Sequence, residues 1–497
     1  MSHTRFGRAR RLGALLAGLA LAGSLAVGTT ASTASPQRYL VVFSGTYALD
    51  GSYALGGDYA LNHEYALSIV RAAGGTVSTD LSKQIGVMVV ESASSQFHAL
   101  LTSYALVEEV GADWAWLGIP SGGPGAGAAP ETHADPLEPI QWDMEAIRTG
   151  QAHAIQAGRP EVQVGVLDSG ITGSHVDFQK DGASNVDCAL GHDSLAVLPP
   201  GVAVGTPDPC VDNQFHGTHV AGTIAARANG HGIVGVAPNV TLVPVKVCDA
   251  TGYCYASAVV DGITYAADQR LEVINMSFFV DDDAFQESTE FKCSSDPTQR
   301  AFRRAVERAL QYARSQGVVA IAALGNSDQD LAHPVDADGQ PIDNECEVVP
   351  AESSGVIGTA ALGNGTGKSS YSNYGAGATD VVAPGGDGTT GDCTTTILST
   401  VPGNAYACIQ GTSMASPHTA GVAALIVSQF GYLGADGDWT LAVTRVESLL
   451  QATAVDLGLP GYDECFGHGR IDALRAVQGT TRAASDPSVP ACPEYTE

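Results

Sequence analysis

The sequence predicts an α/β protein whose main domain is a doubly wound, mainly parallel sheet with helices on both faces, preceded by a small ferredoxin-like α+β domain. Two observations lead to this fold class. After residue 137, short apolar segments rich in β-branched residues alternate with helical stretches, as in a parallel sheet buried on both faces. Before residue 113, a separate group of segments follows the order βαββαβ. The length of 497 residues accommodates both domains.

The first 34 residues have the layout of a cleaved secretory signal. Four arginines precede an apolar run at residues 12–27, and small residues follow this run. The run is short for a membrane span, and no later stretch resembles one. We therefore expect residues 1–34 to be a signal peptide and the protein to be secreted into the extracellular medium.

Residues 35–116 are predicted to form the small domain. Apolar alternation and helical spacing assign four strands and two helices to it. The strands are expected at residues 38–44, 75–82, 84–92 and 106–111, and the helices at residues 61–73 and 94–103. Residues 117–136 contain much glycine, alanine and proline, so we expect an exposed linker in or near which proteolytic maturation occurs.

The main domain is assigned to residues 137–480, and residues 481–497 are assigned to a C-terminal tail. Strands are expected at residues 162–167, 242–247, 273–278, 318–324, 356–362 and 380–383. Helices are expected at residues 219–227, 257–268, 298–315, 413–430 and 441–451. In such sheets the chemistry lies beyond the carboxyl ends of the strands, so polar residues at those ends are the candidates for a functional site.

Charge and cysteine content narrow the range of partners. The 24 Lys and Arg residues face 53 Asp and Glu residues, and the formal net charge of -29 opposes binding to nucleic acid or to an anionic membrane. We expect neither partner, and we expect a monomer. The ten cysteines include no Cys-x-x-Cys pair, which favours disulfides over zinc in an exported protein. Because short loops close most easily, the expected pairs are Cys188–Cys210, Cys248–Cys254, Cys293–Cys346, Cys393–Cys408 and Cys465–Cys492.

Four polar residues stand at ends of predicted strands or at starts of predicted helices. Asp168 ends the strand Val-Gly-Val-Leu, and Asn326 follows the strand Val-Val-Ala-Ile-Ala-Ala-Leu-Gly. His216 and Ser413 each stand at the start of an alanine-rich helix, and Pro417 is predicted to start the second helix because proline is tolerated in a first turn. Together they provide a hydroxyl nucleophile, a base, a carboxylate that orients the base, and an amide that donates to an oxyanion.

Each of these residues also has a simpler interpretation. Asp168 alone is a turn residue or a cap, and Ser413 alone is an N-cap. The segment from His216 to His219 contains two histidines, and only one of them can be the base. His216 precedes the body of the helix and is the better candidate, whereas His219 is expected to form a local hydrogen bond in the core.

The motifs around these residues resemble the active-site motifs of the subtilisin family of serine peptidases. They are Asp168-Ser-Gly, His216-Gly-Thr-His-Val-Ala-Gly, Gly325-Asn326 and Gly411-Thr-Ser-Met-Ala-Ser-Pro-His. The resemblance covers roughly residues 137–477. It implies a triad of Asp168, His216 and Ser413, an oxyanion hole with Asn326, polypeptide substrates and no catalytic cofactor. Residues 37–113 resemble the family's inhibitory propeptide, which implies a zymogen that processes itself.

The resemblance also implies a substrate-binding strand at Asn275-Met-Ser-Phe-Phe. Ser277 and the residues after it would pair with a peptide backbone by β-augmentation. Phe278 and Phe279 stand where the family has small residues, often glycine, so they either narrow the cleft or fill the core. The wall that faces them is apolar and consists of Ala322, Ala323, Leu324 and Gly325. We expect apolar or aromatic side chains just before the scissile bond.

A structural calcium site is a further implication of the resemblance. Counting without gaps from the matched motifs gives side-chain ligands at Glu138, Asp177 and Asn229. The matching carbonyl ligands belong to Arg227, His231 and Ile233. Oxygen ligands from a flexible loop suit Ca²⁺, although Asp177 and Asn229 are also ordinary turn residues.

Three functions are compatible with these residues. The main prediction is a secreted serine endopeptidase made as a zymogen. A transacylase or peptide ligase would use the same acyl-enzyme and transfer its acyl group to an amine instead of water. A non-catalytic binding or inhibitor protein on the same fold is disfavoured, because the hydroxyl, imidazole, carboxylate and amide are all present.

Overall fold

A four-stranded antiparallel sheet forms the N-terminal part of the protein, as seen in a computed structural model. The structure describes residues 35–489 except 48–52, 55–58, 120–134, 197, 199–204, 280–295, 336–339, 342–347, 366, 389–391, 435–438, 482–483 and 487–488. The strands of this sheet are β1 (Gln37–Phe43), β2 (Gly75–Leu81), β3 (Val87–Ser92) and β4 (Val107–Ala112), in the order β2-β3-β1-β4. Helices α1 (Tyr59–Ala72) and α2 (Phe97–Leu101) pack their apolar residues against one face of the sheet. This arrangement is the predicted βαββαβ order, with element ends within a few residues of those predicted.

The main domain is built on a seven-stranded sheet. The strands that follow the N-terminal sheet are β5 (Ala115–Leu117), β6 (Gln163–Asp168), β7 (His192–Asp193), β8 (Thr241–Lys246), β9 (Tyr253–Tyr255), β10 (Val273–Met276), β11 (Val319–Ala323), β12 (Val356–Leu362), β13 (Val381–Pro384), β14 (Ile397–Val401) and β15 (Ala405–Ile409). The sheet has the order β7-β8-β6-β10-β11-β12-β13, and its strands pair in parallel. Strands β5 and β9, and strands β14 and β15, form separate antiparallel pairs.

Helices cover both faces of this sheet. In chain order they are α3 (Trp142–Ala146), α4 (Thr149–His153), α5 (His216–Ala225), α6 (Ala256–Asp268), α7 (Pro297–Ser315), α8 (Thr412–Phe430), α9 (Val443–Thr453) and α10 (Ala473–Gln478). Leu167 of β6 packs in one apolar cluster with α6 and α7, whereas its neighbour Val166 packs in a second cluster with α5, α8 and α9. Alternate strand residues thus supply two separate cores, which confirms the predicted doubly wound α/β fold.

Short elements complete the described structure. Two-stranded pairs are formed by Thr46–Tyr47 with Tyr53–Ala54, Gln179–Lys180 with Ala183–Ser184, Tyr432–Leu433 with Trp439–Thr440, and Val455–Leu457 with Ala484–Asp486. The 3-10 helices are Glu138–Ile140 and Val176–Phe178. Within the described residues, no helix combines the length and the apolar character needed to cross a membrane.

Helix α8 has its predicted bounds to within one residue, but Pro417 does not lie in its first turn. It starts at Thr412 and contains Pro417 in its interior, so the prediction that Pro417 starts the helix is wrong. Proline has no N–H to donate to the Ser413 carbonyl four residues earlier. The Ser277 hydroxyl donates to that carbonyl instead, at 2.9 Å. A hydroxyl at the end of β10 therefore satisfies the carbonyl that proline leaves free, and the helix continues.

Three of the predicted disulfides are present. They join Cys188 to Cys210, Cys248 to Cys254, and Cys393 to Cys408. The other two predicted pairs involve Cys293, Cys346 and Cys492, which lie outside the described residues. The predicted signal peptide and most of the predicted linker and tail also lie outside them.

The N-terminal sheet packs its second face on helices α6 and α7. Its residues Leu40 and Val89 belong to the same apolar cluster as Phe302 of α7. Around this contact, arginines of α7 meet carboxylates of β4. Arg308 Nη2 lies 2.6 Å from Glu108, and Arg300 Nε lies 3.0 Å from Glu109. The interface therefore combines an apolar centre with ion pairs in which α7 supplies the positive side chains and β4 supplies the negative ones.

The chain that leaves the N-terminal sheet stays in contact with the main domain. Strand β5 pairs with β9, and Ile119, inside the predicted linker, is only 2% exposed. Asp135, near the other end of the predicted linker, is 7% exposed. Both ends of the predicted linker are therefore packed rather than exposed.

Candidate active site

Asp168 and His216 form a buried hydrogen-bonded pair at the carboxyl end of β6. Asp168 is the last residue of that strand, and His216 is the first residue of α5. Each Asp168 carboxylate oxygen lies 3.0 Å from His216 Nδ1, and both side chains are fully buried. The Ser169 N–H donates to Asp168 Oδ1 at 2.8 Å. The carboxylate orients the imidazole and favours a proton on Nδ1, which leaves Nε2 as the basic nitrogen.

A second carboxylate, absent from the predicted site, holds the segment before His216. Asp212 is buried and accepts hydrogen bonds from the Ser169 hydroxyl, from the Phe215 N–H and from the Thr218 N–H and hydroxyl, at 2.7–2.9 Å. Phe215 has a φ of 136°, which a residue with a side chain rarely adopts. These bonds hold a strained residue next to His216. The sequence signal that could have identified Asp212 is an acidic residue four positions before the histidine.

Ser413 lies in the first turn of α8, beside the strand end that carries Asp168. Its hydroxyl donates to the Ser277 carbonyl oxygen at 3.0 Å. Residue 277 follows Met276, which pairs with Leu167 in the neighbouring strand β6. Among the residues that the structure describes, the buried Nε2 of His216 has no hydrogen-bond partner. The site therefore contains a hydroxyl and an unoccupied basic nitrogen at the same sheet edge.

A chain of side-chain hydrogen bonds joins α8 to β10. The Ser416 hydroxyl donates to Asn275 Oδ1 at 2.6 Å, and Asn275 Nδ2 donates to the Ser277 hydroxyl at 2.8 Å. All three residues are fully buried. The Ser277 hydroxyl in turn donates to the Ser413 carbonyl, so this chain ends at the nucleophile candidate. The predicted site omitted Asn275 and Ser416, although Ser416 lies one helical turn after Ser413.

Asn326 is oriented by the residue that precedes Ser413. Its Oδ1 accepts from the Thr412 N–H at 2.9 Å and from the Thr412 hydroxyl at 3.0 Å. The amide Nδ2 is thereby the end that remains to donate. A Cβ placed on Gly411 would lie 3.7 Å from the Ser413 nitrogen and 3.8 Å from Asn326 Nδ2. Gly411, with a φ of 151°, therefore leaves open the space that both donors border.

The loop that carries Asn326 is held by Asn373, a residue absent from the predicted site. Asn373 is buried, and its Oδ1 accepts from the Ser327 N–H at 2.9 Å and from the Gln329 N–H at 3.0 Å. Its Nδ2 donates to the Leu324 carbonyl at 3.0 Å. One amide thus braces the backbone on both sides of Asn326.

The predicted apolar wall lies at the ends of β10 and β11. Phe278, Ala323 and Leu324 are fully buried. Phe279 is 9% exposed, and its ring lies 3.8 Å from the position of a Cβ on Gly325. Of the two interpretations of the phenylalanines, Phe278 fills the core, whereas Phe279 borders the surface opposite Gly325.

An extended segment of the protein itself lies along β9. Leu117 pairs with Tyr253, and Trp116 pairs with Cys254. Just after the strand, the Gly118 N–H donates to the Gly252 carbonyl at 3.1 Å. The chain before β9 is anchored to the active-site strand, because the N–H groups of residues 247 and 248 donate to the Asp168 carbonyl. Peptide pairing was predicted at Ser277, and this second edge was not predicted.

The predicted calcium ligands are brought together only in part. Asp177 is fully buried, and its Oδ2 accepts from the Ile233 N–H at 3.0 Å. Among the described residues, Asp177 Oδ1 has no hydrogen-bond partner. Burial raises the pKa of Asp177 to about 7, and the nearby Asp135 contributes to the rise. Asn229 Oδ1 accepts from the His231 N–H at 2.8 Å.

The remaining predicted calcium ligands lie at the rim of this loop. The Arg227 N–H donates to the Asp177 carbonyl, and the Glu138 side chain is exposed. Partial burial and the nearby Asp135 raise the pKa of Glu138. Asp135, which was not predicted as a ligand, accepts from the N–H groups of residues 229 and 230 at 3.0 Å each. Within the described residues, no three His, Cys, Asp or Glu side chains are grouped so that they could hold a metal ion.

The other histidine of the motif is part of the core. His219 is fully buried, and its Nε2 lies 3.2 Å from the carbonyl oxygens of Ile397 and Ala407. Burial, together with His216 nearby, lowers its pKa to about 3. His219 is therefore neutral at ordinary pH and joins α5 to the β14–β15 pair, which agrees with the prediction of a hydrogen bond in the core.

The chain is similar in sequence to known peptidases. The model of the subtilase family of peptidases matches residues 159–469. Subtilisin DY of Bacillus licheniformis is 32% identical over 339 residues, which cover 68% of this chain and 99% of that protein. Subtilisin E of Bacillus subtilis strain 168 is 33% identical over 341 residues, which cover 68% and 71% of the two chains.

Solved structures agree in fold. The epidermin leader peptide processing serine protease of Staphylococcus aureus superposes with a TM-score of 0.65 at 20% identity, covering 91% of this chain and 100% of that chain. A lanthipeptide protease superposes with a TM-score of 0.52 at 24% identity, covering 68% and 92% of the two chains.

Proposed function

The chain belongs to the subtilase family of serine endopeptidases, and on this basis we propose that Asp168, His216 and Ser413 form its catalytic triad. The observation that carries the proposal is a fully buried imidazole whose Nδ1 is held by a carboxylate and whose Nε2 has no hydrogen-bond partner in the described part of the chain. A buried polar nitrogen without a partner costs free energy, so its persistence is explained by a use in the reaction.

The reaction follows from the four groups. The Ser413 hydroxyl turns from the Ser277 carbonyl to His216 Nε2, which takes its proton as the oxygen attacks the peptide carbonyl carbon. Asp168 stabilises the resulting imidazolium. Asn326 Nδ2 and the Ser413 N–H donate to the oxyanion of the tetrahedral intermediate. His216 then gives the proton to the leaving amine, and water hydrolyses the acyl-enzyme by the same steps in reverse order.

The test is covalent labelling combined with turnover. Matured protein should hydrolyse a chromogenic peptide and should lose this activity when a serine-directed phosphonate labels Ser413. Ser413→Ala should abolish both the hydrolysis and the labelling, and an unchanged unfolding temperature serves as the control for folding. Absence of labelling in a folded wild-type protein would contradict the triad. Transfer of the acyl group to an added amine in preference to water would instead favour the ligase alternative.

We also propose that the N-terminal domain inhibits the peptidase until it is removed. Support comes from its ion pairs with α7 and from β5, which occupies β9 as a bound peptide strand would. Ser413→Ala precursor expressed alone should remain uncut between residues 111 and 138. Normal processing of this variant would show that another protease matures the protein. N-terminal sequencing of the wild-type product gives the site of the cut.

A structural calcium ion is the third proposal, with Asp177, Asn229, Glu138 and the carbonyl oxygens of Arg227, His231 and Ile233 as its ligands. Support comes from the buried Asp177 Oδ1, which has no partner among the described residues. A cation there would compensate a carboxylate that burial disfavours. Calcium should raise the unfolding temperature of the wild-type protein by several degrees over the value in EDTA. Asp177→Asn should remove this difference, and an equal calcium effect in both proteins would contradict the site.

Secretion is proposed from the basic and apolar N-terminal segment and fits the three disulfides of the described structure. Recovery of mature protein from the culture medium, with loss of export when residues 12–27 are made polar, is the corresponding measurement.

A further inference from the structure

Gly118 lies in a space that has no room for a side chain. A Cβ placed on it would lie 2.7 Å from Cys254 Sγ and 2.7 Å from Trp116 Nε1. These distances are too short for non-bonded atoms, so a neighbour would have to move. Gly118 does not have the positive φ that favours glycine at other positions of the chain. Its neighbours, and not its backbone conformation, therefore exclude a side chain.

The sulfur atom beside Gly118 is held in place from two directions. Cys254 is fully buried in β9 and is joined to Cys248 by a disulfide across six positions. The loop between the two cysteines is braced by Asp249, which accepts from the Tyr253 N–H at 3.0 Å and from the Tyr255 hydroxyl at 3.1 Å. Because a bridged and buried sulfur cannot swing aside, it acts as a fixed wall.

We propose that the Cys248–Cys254 disulfide selects glycine at one position of the peptide substrate, namely the position that Gly118 occupies beside β9. This inference rests on the proposed function, in which β5 and the residues after it bind as a substrate does. A substrate strand that pairs with β9 in the same register brings its corresponding residue against Cys254 Sγ. Glycine is accepted there, and alanine requires the peptide or the disulfide loop to shift.

The test uses synthetic peptides with the sequence of residues 111–119 as competitive inhibitors of chromogenic-peptide hydrolysis by the mature enzyme. Gly118→Ala in the peptide should raise the inhibition constant by about tenfold or more, the effect of an overpacked contact. Leu117→Ala is the matched control, because Leu117 is 45% exposed and its truncation should change the constant by less than about twofold. Equal inhibition by the unsubstituted peptide and by the Gly118→Ala peptide would overturn the inference.

A second pair of peptides separates the two neighbours of Gly118. In peptides that already carry Trp116→Ala, the penalty for Gly118→Ala should persist, because the sulfur remains. Loss of the penalty in this background would assign the effect to the peptide's own tryptophan and would overturn the role of the disulfide. This arm needs only the wild-type enzyme, so it gives an answer even if variants of the disulfide fail to fold.

Enzyme variants complete the experiment. Cys248→Ala with Cys254→Ala should reduce the discrimination between glycine and alanine peptides to within about twofold. The control enzyme, Cys393→Ala with Cys408→Ala, loses a different disulfide and should keep the full discrimination. Undiminished discrimination in the first variant would overturn the inference. A folded wild-type enzyme that neither hydrolyses the chromogenic peptide nor takes the serine label would contradict the proposed function itself. An active enzyme that binds the glycine and alanine peptides equally would contradict only this inference.

Discussion

The described structure contains two buried Asp–His pairs, in which the carboxylate faces Nδ1 of His216 but Nε2 of His418, and in which the remaining imidazole nitrogen differs in its contacts. Asp168 lies 3.0 Å from His216, and Asp143 lies 2.9 Å from His418. The second nitrogen of His418 is 2.7 Å from the Met414 carbonyl oxygen, whereas His216 Nε2 has no partner among the described residues. A carboxylate–imidazole pair therefore indicates a catalytic base only when its remaining nitrogen is left unoccupied near a nucleophile.

The two pairs also lie in different places relative to α8. His418 belongs to that helix, and Asp143 belongs to α3, so their hydrogen bond joins two helices across the core. His216 belongs to α5 and meets a carboxylate at a strand end, on the edge of the sheet where Ser413 lies. The first arrangement holds elements together, and the second presents an unoccupied nitrogen at the edge of the sheet.

The largest expected effect is a loss of kcat that occurs in a variant of one Asp–His pair and not in a variant of the other. Asp168→Asn should lower kcat by about 10⁴-fold, as it does in serine peptidases with the same triad, because the amide favours the wrong imidazole tautomer. Asp143→Asn should leave kcat within about twofold per folded molecule, since His418 does not contact the reacting atoms. Steady-state kinetics on enzyme quantified with the serine label provide the measurement. Comparable losses of kcat in the two variants would remove the distinction between the pairs.

Asn326 extends the comparison, because its amide also has one atom with partners and one available to substrate. Its Oδ1 accepts from Thr412, and its Nδ2 remains to donate. Asn326→Ala should lower kcat by about 10²- to 10³-fold with little change in KM, as expected for a donor used mainly in the transition state. Asn373→Ala, which removes the brace but not the donor, should have a smaller effect on kcat. If Asn326→Ala changed KM alone, the side chain would bind substrate in its ground state and would not belong to an oxyanion hole.

The His418 pair should contribute to stability although it takes no part in catalysis. Asp143→Ala should lower the free energy of unfolding by about 1–3 kcal/mol, because it leaves a buried imidazole nitrogen without its partner. Urea unfolding of inactive Ser413→Ala protein, with and without the second substitution, avoids self-digestion during the measurement. A change below about 1 kcal/mol would show that the His418 pair does not stabilise the fold.

The smallest expected effect concerns a buried carboxylate that meets no histidine. Asp113 accepts from the Ser257 N–H at 2.8 Å and from the Ser257 hydroxyl at 2.6 Å, and burial raises its pKa in the docked N-terminal domain. The docked domain thus retains this proton to a higher pH than the free domain does. Its contribution to docking is fully present below the ordinary pKa of about 3.9 and is lost as pH rises through the raised pKa.

Calorimetric titration of the mature enzyme with its cleaved N-terminal domain between pH 4 and 8 tests this sign. The dissociation constant should increase with pH, and Asp113→Asn should flatten part of that increase. A steeper pH dependence in the variant than in the wild-type domain would contradict the assignment to Asp113.

Most elements of the fold were predictable because their signals are local. The β-branched run at residues 356–362 is strand β12 with unchanged bounds, and the helix predicted at 257–268 begins one residue earlier as α6. The four residues proposed for catalysis were also found from the sequence, since each follows a strand or opens a helix. The error at Pro417 arose because the hydroxyl that satisfies the Ser413 carbonyl belongs to Ser277, 136 positions away.

The sequence by itself determined the alternation of strands and helices, the family motifs and the three short disulfides seen in the described structure. Each of these depends on the covalent order of residues over short distances. Only the tertiary structure decided that His216, unlike His418, keeps a nitrogen with no partner among the residues described. It also decided that Asp212 holds the strained Phe215 and that Gly118 meets the Cys254 sulfur. Such contacts join residues far apart in the chain, and their geometry exists only after the two cores have packed on either side of the sheet.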